Sequence, residues 1–211
     1  MPGDERQGKS PTELVSDALR ASAEVKLALA DLHASLIAQM AKTIVDALRA
    51  GGKVLFLGNG GSAADAQHLA AELIGRFRRE RAAIPALALS TNSSILTAIA
   101  NDYSYDQVFA RQVEALVSDR DVVVGISTSG HSPSVLLALQ AARQKGARCL
   151  GLTGRQGQPL AQLCDLCLLV PSDITAYVQE AHIAVGHALC GVIEDQFVRD
   201  ATDRVAQQCG R

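Results

Sequence analysis

The chain has 211 residues, 48% hydrophobic and 20% charged, with a formal net charge of −2. That is enough apolar material for one sizeable domain with a full core, and too much for a disordered chain. The near-neutral balance argues against non-specific nucleic-acid binding, and the 3% aromatic content with no Trp argues against base-stacking platforms.

No apolar run approaches the ~20 residues that a membrane span needs. The opening MPGDERQGKSP is polar and lacks the apolar core of a secretory signal, so residues 1–11 read as a flexible lead-in and 12–211 as a single domain. The five cysteines, at 149, 164, 167, 190 and 209, are an odd number and scattered, which suits reduced thiols in a cytoplasm better than a disulfide frame. Cys164 and Cys167 form a CxxC without a second one, entering an apolar strand; buried structural thiols are the expectation, ahead of half a metal site.

Thr12 to Ala50 carries apolar residues at helical spacing, with Thr12 as the expected N-cap, a break near Asp31 to His33 dividing it into two helices, and Gly51-Gly52 ending it. An arm of this length either packs on a partner subunit or covers the sheet. Next comes KVLFLGNGGSAADAQHLAAELIGR, Lys53 to Arg76. It reads as a buried strand, a tight glycine turn and a helix whose N-terminus faces the turn. Glycines let the backbone approach a ligand, and free N–H groups with the helix dipole favour an anion. Ser62 suits the N-cap or a phosphate contact. His68 and Glu72 are four apart and share a helix face. The turn matches neither the P-loop nor the dinucleotide fingerprint.

Ala86 to Leu89 reads as a second strand, Ser93 to Ile99 as a short helix and Tyr105 to Leu116 as another. The apolar run DVVVGI, from Asp121, enters Ser127-Thr128-Ser129-Gly130-His131-Ser132 and then a helix from Pro133. Hydroxyls and backbone N–H groups converging at a strand end make a phosphate cradle without Lys or Arg. Arg148 to Leu152 and Leu166 to Val170 read as the last strands, and Thr175 to about Arg199 as the last helix. On that helix Gln179 and His187 fall on one stripe, while His182 points away from His187. The alternation of strands and helices predicts a three-layer αβα sandwich with a five-stranded parallel, flavodoxin-like sheet and an N-terminal helical arm. Both polar turns then lie at the C-terminal ends of strands, where such folds bind ligands.

The stretches GNGGSAADAQHLAAEL, LTAIANDYSYDQVFARQVEAL, GISTSGHS and QEAHIAVGHALCGVIE together resemble the phosphoheptose (sedoheptulose 7-phosphate) isomerase family of sugar isomerase (SIS) domain proteins. The resemblance runs from Leu14 to Val198, with the motifs in the right order and spacing. It implies an aldose–ketose isomerase that converts sedoheptulose 7-phosphate to D-glycero-D-manno-heptose 7-phosphate, early in the synthesis of nucleotide-activated heptose for lipopolysaccharide or other surface glycans. It implies a cytoplasmic homotetramer with sites between subunits. By position it assigns one zinc per subunit to His68, Glu72, Gln179 and His187, with Glu72 and His187 as the acid/base pair. Substrate contacts would come from Asn59, Gly60, Gly61, Ser62, Glu72, Asn101, Asp102, Ser127, Thr128, Ser129, Ser132 and Gln179. The chain departs from the family at His131, where Asn is common, and at Tyr177-Val178, where the family often has Arg-Ile. A non-catalytic branch of the same family binds a bacterial replication-initiator protein; it lacks the acid/base pair that Glu72 and His187 provide here.

Overall fold

The computed structural model describes residues 8–209; of the expected lead-in at 1–11, residues 1–7 lie outside the described residues, and Ser10 and Pro11 already belong to the start of the first helix. The first helix, α1 (Pro11–Arg49), opens with a capping box: the Ser10 hydroxyl accepts from the Glu13 N–H while the Glu13 carboxylate accepts from the Ser10 N–H. Ser10, not Thr12, is therefore the N-cap. The expected break at Asp31 to His33 is absent and the helix is continuous. The segment contains no Gly or Pro, and Ala28, Ala30 and Ala34 around it are strong helix formers. The C-terminal part of α1 is the more deeply packed, through Met40, Ile44, Val45 and Leu48; the earlier part buries Ser22 and Leu29 but leaves Val15, Leu19 and Leu27 exposed, and Leu32 is exposed as well.

The strands are β1 (Val54–Gly58), β2 (Ala86–Ala88), β3 (Val122–Ser127), β4 (Arg148–Gly154) and β5 (Leu166–Val170). They form one parallel sheet in the order β2-β1-β3-β4-β5. The remaining helices are α2 (Gly61–Ile74), α3 (Ser93–Asp102), α4 (Ala110–Leu116), α5 (Pro133–Gln144), α6 (Gln158–Ala161) and α7 (Thr175–Cys209). The expected helix from Tyr105 to Leu116 divides into a single 3-10 turn, Tyr105–Gln107, and α4. The last helix runs ten residues beyond Arg199.

Strand side chains alternate between two cores, as a sheet covered on both faces requires. Val54, Phe56, Val122, Val124, Ile126, Leu150 and Leu152 face α1, α2 and α7. Leu55, Leu57, Val123 and Cys149 face α4, α5 and α6. Every residue of β1 and β3 is buried, and each large aliphatic side chain among them contributes about 1.5–3 kcal/mol of transfer free energy. The chain steps from β1 outward to β2 and returns on the other side as β3, so the order reverses between β1 and β3. The glycine turn and the serine turn leave the sheet at this switch point. Among the described residues no helix is long and apolar enough to cross a membrane.

The opposite end of the sheet is tied by Asp121, which is 1% exposed. Its carboxylate accepts from the Lys53 N–H and Nζ and from the Ser118 N–H and hydroxyl, joining the start of β1 to the start of β3. Burial opposes its charge, but the Lys53 and Ser118 donors outweigh it and hold the carboxyl below its usual range. A depressed pKa stabilises the fold fully above the unfolded value of about 4 and ceases to do so as pH falls through the folded value. Asp121→Asn is expected to lower the unfolding free energy by about 2 kcal/mol at neutral pH. In urea denaturation the gap to wild type should narrow as the pH is lowered below about 4; a gap independent of pH would contradict this.

Candidate active site

Three side chains predicted from the sequence converge between α2 and α7. His68 Nε2 and His187 Nε2 stand 2.9 Å apart, and Glu72 Oε1 is 3.4 Å from His68 Nε2. One ligand atom from each of the three lies within 4.8 Å of the others. His68 and Glu72 meet because they are one turn apart on α2. His187 joins them because α7 runs alongside α2 in the same direction: Gln179 lies against Gly61, and Gly186 lies against Leu69. A Cβ on Gly186 would come within 2.5 Å of Leu69 Cδ2, so glycine there sets the close approach of the two helices. His187 is further held by Phe77, whose ring stacks on the imidazole at 5.6 Å between centroids and 26° between planes.

Two imidazole nitrogens facing one another, with a carboxylate beside them, are a donor set of the kind that holds a divalent metal ion. Nitrogens sharing a tetrahedral zinc stand about 3.3 Å apart, so the pair would open by only a few tenths of an ångström. The residues fit a divalent cation. Gln179, the expected fourth ligand, sits eight residues before His187, about 12 Å along the helix at 1.5 Å per residue. Its amide contacts Gly61 at the glycine turn.

The glycine turn is built on Gly60, which is the N-cap of α2 with φ 55°. Only glycine adopts this backbone without strain. Ser62, expected at that cap, instead lies inside the first turn and is buried against Gly58. In the serine turn, Ser127 Oγ accepts from the Gly130 N–H and Ser129 Oγ from the His131 N–H. The His131 imidazole turns back on the Ser129 carbonyl at 2.6 Å. Thr128 is half-buried beside them, and Gly130 has φ 68° with no room for a Cβ against Gly157. Asn59 joins the two turns: its Nδ2 donates to Ser132 Oγ at 2.8 Å and Ser134 Oγ at 2.9 Å. Ser132, though the N-cap of α5, therefore spends its hydroxyl on Asn59 rather than on its own helix.

Asn101 and Asp102 lie at the exposed C-terminal end of α3 and hydrogen-bond to each other. The link from this segment to the glycine turn comes from Tyr105, whose hydroxyl donates to Asn59 Oδ1 at 2.8 Å. Sequence reasoning missed Tyr105 as a site residue. It also missed Asp65, one turn before His68, a half-buried carboxylate with one oxygen lacking a hydrogen-bond partner. Burial raises its pKa, and the neighbouring His68 opposes that rise. The signal for Asp65 was its place three residues before His68 on the same helix face. His182 is outside the His68, Glu72 and His187 group and fully buried, and burial pushes its imidazole down to about 4. Cys164 and Cys167 are free, half-buried thiols facing Gly151; among the described residues no group of potential metal ligands includes them.

A family profile for the SIS domain matches residues 19–154. The chain is 60% identical over 162 residues to the phosphoheptose isomerase of Solidesulfovibrio magneticus, covering 77% of this chain and 79% of that one. The solved phosphoheptose isomerase of Neisseria gonorrhoeae superposes with TM-score 0.83 at 41% identity, covering 88% of this chain and 100% of that one. That of Francisella tularensis superposes with TM-score 0.85 at 36% identity, covering 89% and 100%. On sequence, fold and topology together, the chain belongs to the phosphoheptose isomerase family of SIS-domain enzymes.

Proposed function

We propose that the protein interconverts sedoheptulose 7-phosphate and D-glycero-D-manno-heptose 7-phosphate through an enediol. The observation that carries this reading is the cluster of His68, Glu72 and His187, a carboxylate and two imidazoles with ligand atoms within 4.8 Å of one another. The relatives matched are named as isomerases, and nothing in them favours the initiator-binding alternative.

A proton α to a carbonyl is weakly acidic, so the site needs a base and a partner for the oxygens. Glu72 removes the C1 proton of the ketose while His187 supplies a proton to O2, giving the enediol. Glu72 then returns its proton to C2 and His187 takes the proton from O1, leaving the aldehyde at C1. Both residues end the cycle in their starting protonation states. The serine turn (Ser127, Thr128, Ser129, Ser132) and the first turn of α2 hold the phosphate with neutral donors, and Asn59, Gly60, Gly61, Ser62, Asn101, Asp102 and Gln179 line the sugar path. Asn59 keeps the two turns in register through Ser132 and Tyr105.

His68, Glu72 and His187, with Gln179 as the expected fourth donor, would hold one zinc. When bound, it supplies Lewis-acid polarisation of the carbonyl. An amide oxygen is a weak fourth ligand, which suits a modest affinity. Metal binding and proton abstraction compete for the same Glu72 carboxylate.

The exposed apolar residues of α1 support assembly as a homotetramer, with sites between subunits. Leu29 and Ile37 of α1 and Val185 and Val192 of α7 line an apolar groove of about 350 Å³ that continues this surface. The assignment to the cytoplasm and to surface-glycan heptose supply belongs to the same reading.

Glu72→Gln is expected to lower turnover of sedoheptulose 7-phosphate by at least ~100-fold; full turnover in that variant would remove Glu72 as base. Chelation should reduce activity and added zinc restore it, whereas activity indifferent to both would demote the metal. Light scattering after size exclusion should give the mass of four chains; a monomer would refute the shared-site assembly.

A further inference from the structure

The connection after α2 carries a second layer to this site that neither the motifs nor the family match assigns. Glu194 lies two turns beyond His187 on α7 and is 1% exposed. Its carboxylate accepts from three successive backbone N–H groups, Phe77 at 2.9 Å, Arg78 at 2.9 Å and Arg79 at 3.0 Å. Such a run of N–H groups around one anion is a nest. Arg81, whose side chain is 2% exposed, stands 3.5 Å from Glu194. It donates to the carbonyls of Glu72, Leu73 and Gly75, covering acceptors that the end of α2 leaves open. One buried pair thus grips both the end of the helix that bears Glu72 and the segment that bears Phe77.

Phe77 is where this grip reaches the chemistry. Its ring lies nearly parallel to the His187 imidazole. The Arg78 guanidinium lies over the same Phe77 ring at 4.8 Å. An imidazole with free rotation about χ2 would present its nitrogens over a wide arc. The stacked ring limits that arc, and Nε2 of His187 points at the cluster.

We propose that Phe77 is a positioning residue for His187, and that Glu194 acts on the reaction by holding Phe77 in place through the nest at residues 77–79. This rests on the reading of His187 as an acid/base group. An ordinary loop anchor would serve stability alone. Here the anchored residue stacks on a reacting group, so its loss disturbs orientation before it disturbs folding.

The test is kinetic and spectroscopic. Phe77→Leu should lower kcat about tenfold with KM changed less than about twofold, because orientation is lost and substrate contacts are kept. Phe77→Tyr, which retains the ring, should stay within about twofold of wild type. Glu194→Gln should act in the same direction, and the double variant should be little worse than the poorer single one, since both act through one contact. Leu139→Ala, a cavity on the far face of the sheet, controls for destabilisation and should leave kcat unchanged. In histidine-labelled protein the His187 Cε1–H resonance, assigned by its loss in His187→Gln, should lose its ring-current shift in Phe77→Leu. That spectrum does not depend on turnover, so it remains informative where Glu194→Gln fails to fold. Wild-type kcat in Phe77→Leu, an unmoved His187 resonance, or additive single effects would each overturn the proposal. Full turnover in His187→Gln would instead remove the acid/base reading, and the resonance would still report whether the ring contact exists.

Discussion

The close parallel approach of α2 and α7 is the constraint on which the rest of the site depends. At their contact Leu69 lies against Gly186, where an added Cβ would meet the buried Leu69 side chain at 2.5 Å and force it to shift. With the helices at that separation, His68 and His187 put their Nε2 atoms within hydrogen-bonding range, and Gln179 reaches the glycine turn. A wider spacing would leave two unrelated surface histidines. Packing here comes before chemistry: a small residue chosen for helix approach decides whether the polar residues form a cluster.

The sheet supplies the second half of the geometry. Parallel strands buried on both faces are stiff, and their C-terminal ends fix the starting points of the glycine and serine turns. Asn59 then converts two neighbouring turns into one surface, because it donates to Ser132 and Ser134 and accepts from Tyr105. The hydroxyl-rich end and the imidazole-rich end of the site are thus carried by different elements, joined through α2, which begins at one and bears the other. The buried Glu194 and Arg81 pair extends the same logic outward, since removing either partner leaves an uncompensated buried charge.

Much of this was legible in the residues. The apolar runs of β1 and β3, the glycine and serine turns after them and the helical spacing of α2, α5 and α7 specify the sandwich, and a four-residue separation is enough to join His68 to Glu72. Where the reading failed, local chemistry had a close competitor. Thr12 was a plausible cap until Glu13 completed a box with Ser10. Asp31 to His33 looked like a break because charge interrupts the apolar pattern, yet alanines on both sides carry the helix through. Ser62 resembled a cap, but Gly60, with its positive φ, takes that position.

The sequence by itself determined the strand and helix succession, the parallel topology and the two polar turns, because periodicity and turn chemistry are local properties, and its motifs in order carried the resemblance to the family. Only the tertiary structure decided how closely His187 meets His68, which family resemblance had placed in one site, that Asn59 bridges to Ser132 and Tyr105, and that the Glu194 carboxylate accepts from the Phe77 N–H. Those pairings span 119, 73, 46 and 117 residues for the polar contacts. They depend on helix separation and rotation about χ angles, which no spacing along the chain encodes.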